Sequence, residues 1–170
     1  MFALALPSRS PAARRAVEPV AARGLTLVEV VLTMAIIAII SAIAVPRYAG
    51  AASRYRVEAA CRRIVYDLQT AQTRAVATST AITVSFDTLA AAYTASYPDP
   101  EQPAKNYTVD LTRDPYAAQI VSAVFGNANS FTFNGYGLPS AGGTVVVKSG
   151  TSTGTLTIDP DTGAVTYTLQ

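Results

Sequence analysis

The chain has 170 residues, half of them hydrophobic and 14% charged, so a packed domain is feasible and general disorder is excluded. It has no histidine and only one cysteine, Cys61, which removes the commonest general base and any intramolecular disulfide. The net charge of +2 comes from residues 1–24, whereas residues 25–170 carry nine basic and ten acidic side chains, which excludes a basic footprint for nucleic acid.

Residues 1–24 contain four arginines and one glutamate and end at Gly24. We interpret them as a leader that is removed, and not as part of the fold. An ordinary secretory signal is disfavoured because its apolar start, Phe2–Leu6, is too short, while the long apolar segment begins only after Gly24. By the positive-inside rule, the arginines before that segment predict a cytoplasmic N-terminus and place the remainder on the far side of the membrane.

The segment 25–45 is 21 residues long and has a single charge, Glu29. As a helix it is about 32 Å long, which is close to the hydrocarbon thickness of a bilayer. A carboxylate in the first turn is unusual for a plain anchor, because an ionisable group in lipid is costly and usually has a partner. The alternative is an interfacial glutamate that the dipole of the helix N-terminus tolerates.

Pro46 follows this segment and predicts a kink or a local unwinding, because proline lacks the N–H of the helical ladder. Helical periodicity then resumes and predicts that the helix continues over 46–78. One apolar stripe runs along it at spacings of three and four residues: Val57, Cys61, Ile64, Leu68, Ala71 and Ala75. This stripe needs a cover, which we expect residues 79–170 to supply.

Residues 79–170 show the alternation that is typical of half-buried strands. Eight segments carry it, at residues 82–86, 93–97, 107–111, 120–125, 130–133, 144–148, 155–158 and 164–169. Turn-forming residues separate them, including Pro160–Gly163 before the last. The sequence therefore predicts an α+β fold, in which a long N-terminal helix packs on an antiparallel β-sheet or sandwich domain with six to eight strands.

The N-terminal pattern resembles the class III leader of type IV pilins and type II secretion pseudopilins. Gly24 precedes Leu25-Thr26-Leu27-Val28-Glu29, which places Glu29 fifth after the glycine, and Pro46 stands at the end of the apolar run. The residue after the cut is usually Phe in these families, whereas here it is Leu25.

The resemblance implies cleavage between Gly24 and Leu25 by a prepilin peptidase, which also N-methylates Leu25. It implies that Glu29 and Pro46 belong to the assembly segment. A carboxylate in a fibre core must be paired, and the new amine of a neighbouring subunit is the natural partner of Glu29.

The remainder resembles the GspH/FimT group of minor pseudopilins. In that group a helix segment D-L-x-x-A-R-x-x-A leads into the first strand, and here the segment 67–75 matches it except that Gln72 replaces Arg. The bend 133–139 and the Asp161-Thr162-Gly163 turn are similar to later landmarks of the group.

These features favour a minor pseudopilin of a type II secretion system, lodged in the bacterial inner membrane with a periplasmic domain and then assembled into the pseudopilus. The resemblance implies as partners the prepilin peptidase, other pilins in a helical filament, the inner-membrane assembly platform, and membrane lipid before assembly. The alternative is a FimT-like minor type IV pilin for pilus assembly or DNA uptake. Nucleic acid is not an expected partner, because no basic residue follows Lys148.

An anchored surface enzyme is disfavoured, since no nucleophile, phosphate-loop or metal-ligand motif is present. We expect no cofactor and no metal site. Asp159–Gly163 lacks the ligand spacing of a calcium loop and favours a simple turn.

Overall fold

The computed structural model describes residues 24–170, so the predicted leader, apart from Gly24, lies outside the described residues. It contains one helix, α1 (Leu27–Thr78), and eight strands. The strands are β1 (Ile82–Asp87), β2 (Ala92–Pro98), β3 (Asn106–Asp110), β4 (Gln119–Val124), β5 (Ser130–Phe133), β6 (Gly143–Ser149), β7 (Ser152–Ile158) and β8 (Val165–Leu169). The chain divides into two compact units, with residues up to Ile40 in one and Ser41–Gln170 in the other.

Helix α1 begins two residues later than the predicted segment and ends at the predicted Thr78. Of the two alternatives predicted at Pro46, local unwinding is not observed, because the helical backbone continues through this residue. The reason is that proline removes only one donor, which would have met the carbonyl of Ala42, while the other hydrogen bonds of the ladder remain possible.

The eight predicted alternations all form strands, and these build two four-stranded antiparallel sheets. Strand order is β3-β2-β1-β5 in the first sheet and β4-β6-β7-β8 in the second. The turn after β7 joins β7 and β8 as a hairpin, with Ile158 opposite Val165. The α+β prediction is therefore confirmed, in the form of a long helix on two sheets.

The predicted apolar stripe of α1 is the helical side of the core. All six of its residues are buried, at 0–1% exposure, and they join one hydrophobic cluster with inward-facing residues of both sheets. Phe86 of β1, Phe131 and Phe133 of β5 and Leu156 of β7 belong to this cluster. Burial of such side chains contributes about 1.5–3 kcal/mol each, so the stripe fixes the face that α1 turns to the sheets.

Strand β7 approaches α1 closely at Gly154. A Cβ at this position would lie 2.5 Å from the Sγ of Cys61 and 2.8 Å from a methyl carbon of Val57. We therefore expect Gly154→Ala to lower the free energy of unfolding by about 1–3 kcal/mol through overpacking. The measurement is thermal unfolding of the full chain in detergent micelles, followed by circular dichroism.

Gly50 gives the matched control, because it lies in α1 and a Cβ there meets nothing within 4 Å. Gly50→Ala is expected to raise the free energy of unfolding by about 0.5–1 kcal/mol through helix propensity. Equal stability of Gly154→Ala and the unmodified chain would show that β7 can move away from the helix.

Candidate functional site at the N-terminus of the helix

The start of α1 is set by a cap. The backbone N–H of Glu29 donates to the side-chain oxygen of Thr26 at 3.2 Å, and the N–H of Val30 donates to the Thr26 carbonyl at 3.2 Å. Thr26 is thus the N-cap residue, and the sequence Thr-x-x-Glu is that of a capping box. Leu25 and Gly24 precede the cap, so the predicted cleavage bond lies outside the helix.

The side chain of Glu29 does not complete that box. Within residues 24–170 its carboxylate has no hydrogen-bond or ion-pair partner, and it is exposed. It lies in the first turn, where the N-terminal end of the helix dipole favours a negative charge. The local structure holds the backbone of Glu29 in place and leaves its carboxylate available to another group.

The apolar segment behind Glu29 is uncovered. Its large side chains are 37–80% exposed, from Leu27 and Val28 to Ile43 and Val45. The hydroxyl of Thr33 donates to the carbonyl of Val30 at 2.9 Å, which removes its need for water. Among the described residues, α1 is the helix that is long and apolar enough to cross a membrane.

The predicted site residues fall into two groups. Gly24, Leu25 and Glu29 lie together at the beginning of α1, and Leu25 is 76% exposed. Pro46 lies in the helical backbone of the second unit. The roles of these residues in cleavage and assembly stay predictions.

A buried carboxylate joins α1 to the first sheet. Asp67 is 5% exposed, and its Oδ2 accepts hydrogen bonds from Arg63 Nε at 2.9 Å, from the Tyr107 hydroxyl at 3.0 Å and from the Tyr93 hydroxyl. Burial, together with the charge of Asp67, raises the pKa of Tyr93 well above its usual range. The pKa of Arg63 is also raised, because its bond to Tyr107 and the charge of Asp67 outweigh its partial burial.

Removal of this carboxylate tests its importance. We expect Asp67→Ala to lower the free energy of unfolding by about 2–4 kcal/mol, since the buried Tyr93 hydroxyl and the Arg63 guanidinium lose their acceptor. Tyr93→Phe is expected to cost about 1 kcal/mol, and the double variant less than the sum. Glu101→Ala, which removes an exposed carboxylate, is the control and is expected to change little. Additive effects at Asp67 and Tyr93 would contradict the network.

Gln72 joins α1 to the turns on the other side. Its Nε2 donates to the carbonyl of Gly137 at 2.8 Å and to the carbonyl of Thr162 at 3.0 Å. These are the bend after β5 and the turn between β7 and β8, so one amide connects the helix with both landmarks noted in the sequence. Arginine is also a side-chain donor, so it could make hydrogen bonds of the same kind at this position.

Because the thiol of Cys61 is buried, we expect the free energy of unfolding to fall as the pH rises in the alkaline range. Burial, with a contribution from the charge of Glu58, raises its pKa from 9.0 to about 12. The raised folded-state pKa gives stability that is complete below pH 9 and is lost as the pH rises towards 12. We expect this thiol to lower the free energy of unfolding by about 1.4 kcal/mol per pH unit in that window.

The test compares chemical unfolding of the full chain and of Cys61→Ala between pH 8 and 11. The alanine variant is expected to be less stable at pH 8 but to lose less stability with rising pH. The same pH slope for both chains would show that the thiol ionises freely in the folded state.

Sequence reasoning missed the structural roles of Asp67 and Gln72. Asp67 stands three residues after Ile64 and four before Ala71, hence on the apolar face, and Arg63 precedes it by four. An acidic residue on such a face with a basic residue one turn away is the signal that could have found it.

Asp159 forms a local turn, since its carboxylate accepts hydrogen bonds from two backbone N–H groups and from the Thr162 hydroxyl.

Comparison with protein families gives two matches. The family described as "Type II transport protein GspH" matches residues 60–163, and the "Prokaryotic N-terminal methylation motif" matches residues 21–45. The first match covers the last third of α1 and the strands β1 to β7, and the second covers the cap, Glu29 and the apolar segment. Comparison with curated proteins and with solved structures gave no significant match.

Proposed function

Because the chain belongs to the GspH family of type II transport proteins, within the type IV pilin and pseudopilin class, we propose that it is a minor pseudopilin of a type II secretion system. The precursor is anchored in the inner membrane by the apolar part of α1. A prepilin peptidase cuts between Gly24 and Leu25 and methylates the new amine. The processed subunit then joins other pilin-like subunits in the periplasmic pseudopilus.

The observation that carries this proposal is the combination of an uncovered apolar helix with a free carboxylate in its first turn. A membrane anchor alone needs no charge there, and a charge in lipid without a partner is costly. Cleavage after Gly24 creates an amine four residues before Glu29. The opposite charges on neighbouring subunits then fix the axial register of the subunits in the filament. The aliphatic side chains contribute non-directional packing.

The second unit is proposed to make lateral contacts in a filament. Residues 41–170 carry nine basic and nine acidic side chains, so the unit has no net charge. No group of three or more potential metal-ligating residues occurs within the described part of the chain. The proposed role of this unit is to present surfaces to neighbouring subunits and to the secretion machinery.

The proposed orientation has residues 1–24 in the cytoplasm and the second unit in the periplasm. The methylation motif supports this orientation more than the positive-inside rule does. Four arginines precede the apolar segment, but five more follow it within residues 46–63. Long domains cross the membrane largely regardless of their charge, so these arginines do not oppose the orientation.

Deletion of the gene in a strain that has both a type II secretion system and type IV pili tests secretion against a pilus role. We expect the release of secreted proteins to fall, while piliation and DNA uptake remain normal. The description of the matching family favours this outcome. Normal secretion with loss of pili would instead support a FimT-like minor pilin.

A further inference from the structure

Five exposed residues follow the apolar segment and form what we call the basic–aromatic collar: Arg47, Tyr48, Arg54, Tyr55 and Arg56. No acidic residue occurs between Glu29 and Glu58. Within residues 24–170, none of the three collar arginines forms an ion pair. We propose that the collar binds the headgroups of anionic phospholipids at the membrane surface where the apolar segment ends. This inference rests on the membrane anchorage in the proposed function.

The first two residues of the collar lie at the depth of a headgroup layer, and the other three lie on its aqueous side. Arg47 and Tyr48 lie two and three residues beyond Val45, or about 3–5 Å along the axis, and Arg56 lies about 17 Å beyond it. Side chains of a helix lean towards its N-terminus, which here is towards the apolar segment. The long side chains of Arg54 and Arg56 therefore extend back towards the layer, as arginines do at membrane surfaces.

The collar covers a little more than half of the circumference of the helix. The remaining face contains Val57, which is buried in the core of the β domain. At 100° per residue, Arg47 and Arg54 differ by about 20° and share one face, Tyr48 and Tyr55 share the adjacent face, and Arg56 lies on the far side. A protein partner that contacts one face of the helix would need charges on that face only. A helix that passes through a charged plane meets phosphates on each side that its own domain leaves open, and the collar covers those sides. Interfacial tyrosines are typical of such a crossing.

The end of the second unit next to the collar adds to this surface. Gly150, in the turn between β6 and β7, lies against Ser53, since a Cβ there would be 2.4 Å from the Ser53 hydroxyl oxygen. Lys148 is exposed near this turn. A groove of about 510 Å³ runs beside Tyr48, Tyr55 and Arg56, and Asp114 is the acidic residue among those that line it. The collar therefore keeps an excess of positive charge.

Native mass spectrometry of the full chain in detergent micelles tests the proposal, with phosphatidylglycerol or phosphatidylcholine as the added lipid. The collar variant is R47Q/R54Q/R56Q. The matched control, R62Q/K105Q/R113Q, removes three exposed positive charges elsewhere. We expect the unmodified chain and the control to retain phosphatidylglycerol roughly tenfold better than phosphatidylcholine, and the collar variant to lose this preference.

Two further arms identify the source of the phosphate. Inorganic phosphate and a short DNA duplex are each added to the chain with bound phosphatidylglycerol, and we expect neither to displace the lipid. Displacement by DNA would overturn the lipid assignment in favour of a nucleic-acid surface. Displacement by phosphate would overturn it in favour of a site for small anions.

Equal retention of both lipids by the unmodified chain would overturn the proposal, and this comparison does not depend on any variant folding. Retained preference in the collar variant would also overturn it. Failure of the chain to enter micelles or bilayers would instead contradict the membrane anchorage on which the proposed function rests, so the two failures are distinguishable.

Discussion

Replacement of Glu29 by alanine is expected to reduce incorporation of the processed subunit into filaments at least tenfold. The amine of Leu25 would then lie in a low-dielectric helix core without its partner, and removal of one member of a buried charge pair costs about 3–5 kcal/mol. A tenfold change in an equilibrium corresponds to about 1.4 kcal/mol, so a strong defect is expected even if water screens most of that cost. The measurement is the amount of subunit that can be chemically crosslinked to other pilin-like subunits in intact cells, detected by immunoblot.

The structure allows the assembly defect expected for Glu29→Ala to be distinguished from a loss of the helix or a loss of cleavage. The cap at the start of α1 uses the backbone N–H of Glu29 and the side chain of Thr26, so alanine preserves it. Thr33→Val removes a nearby hydroxyl that bonds only within the helix, and it is expected to assemble normally. Wild-type incorporation of Glu29→Ala would contradict charge pairing between subunits and would favour the interfacial glutamate.

Replacement of Gly24 by valine is expected to leave the chain almost entirely unprocessed. A Cβ at Gly24 meets nothing within 4 Å in the chain itself, so the substitution does not disturb this protein's own fold. The cost arises in the peptidase, where a bulky side chain next to the cleaved bond displaces it, and a shift of about 1 Å can cost 100-fold in rate.

Gel mobility of the chain in membranes that contain the prepilin peptidase measures the mature fraction. Gly24→Ala is the graded control and is expected to be cut more slowly than the unmodified chain but faster than the valine variant. Normal processing of Gly24→Val would show that the cleavage site lies elsewhere and that Leu25 is not the first residue of the mature protein.

The sequence predicted the elements that depend on local periodicity. The stripe from Val57 to Ala75 and the eight strands follow from spacings of three to four and of two residues, and each is present. The pairing of β5 with β1, which places Phe131 opposite Val84, joins segments far apart in the chain. No local pattern specifies such a pairing, and the division into two sheets depends on it.

At the N-terminus, the motif predicted the position of Glu29 but not the cap that precedes it. Thr26 and Glu29 have the spacing of a capping box, and this spacing could have placed the helix start at Leu27. Asp67 was not predicted to be buried, because burial of a carboxylate depends on Tyr93 and Tyr107, which come from strands 26 and 40 residues away.

Two of the polar connections of α1, at Asp67 and Gln72, also affect how the molecule would bear load. Asp67 attaches the helix to strands of one sheet, and Gln72, five residues later, attaches it to the β7–β8 turn that belongs to the other. Pulling along the helix axis would strain both connections at once, in shear. A filament subunit held in this way would transmit force to its whole β domain without the two sheets being pulled apart one after the other.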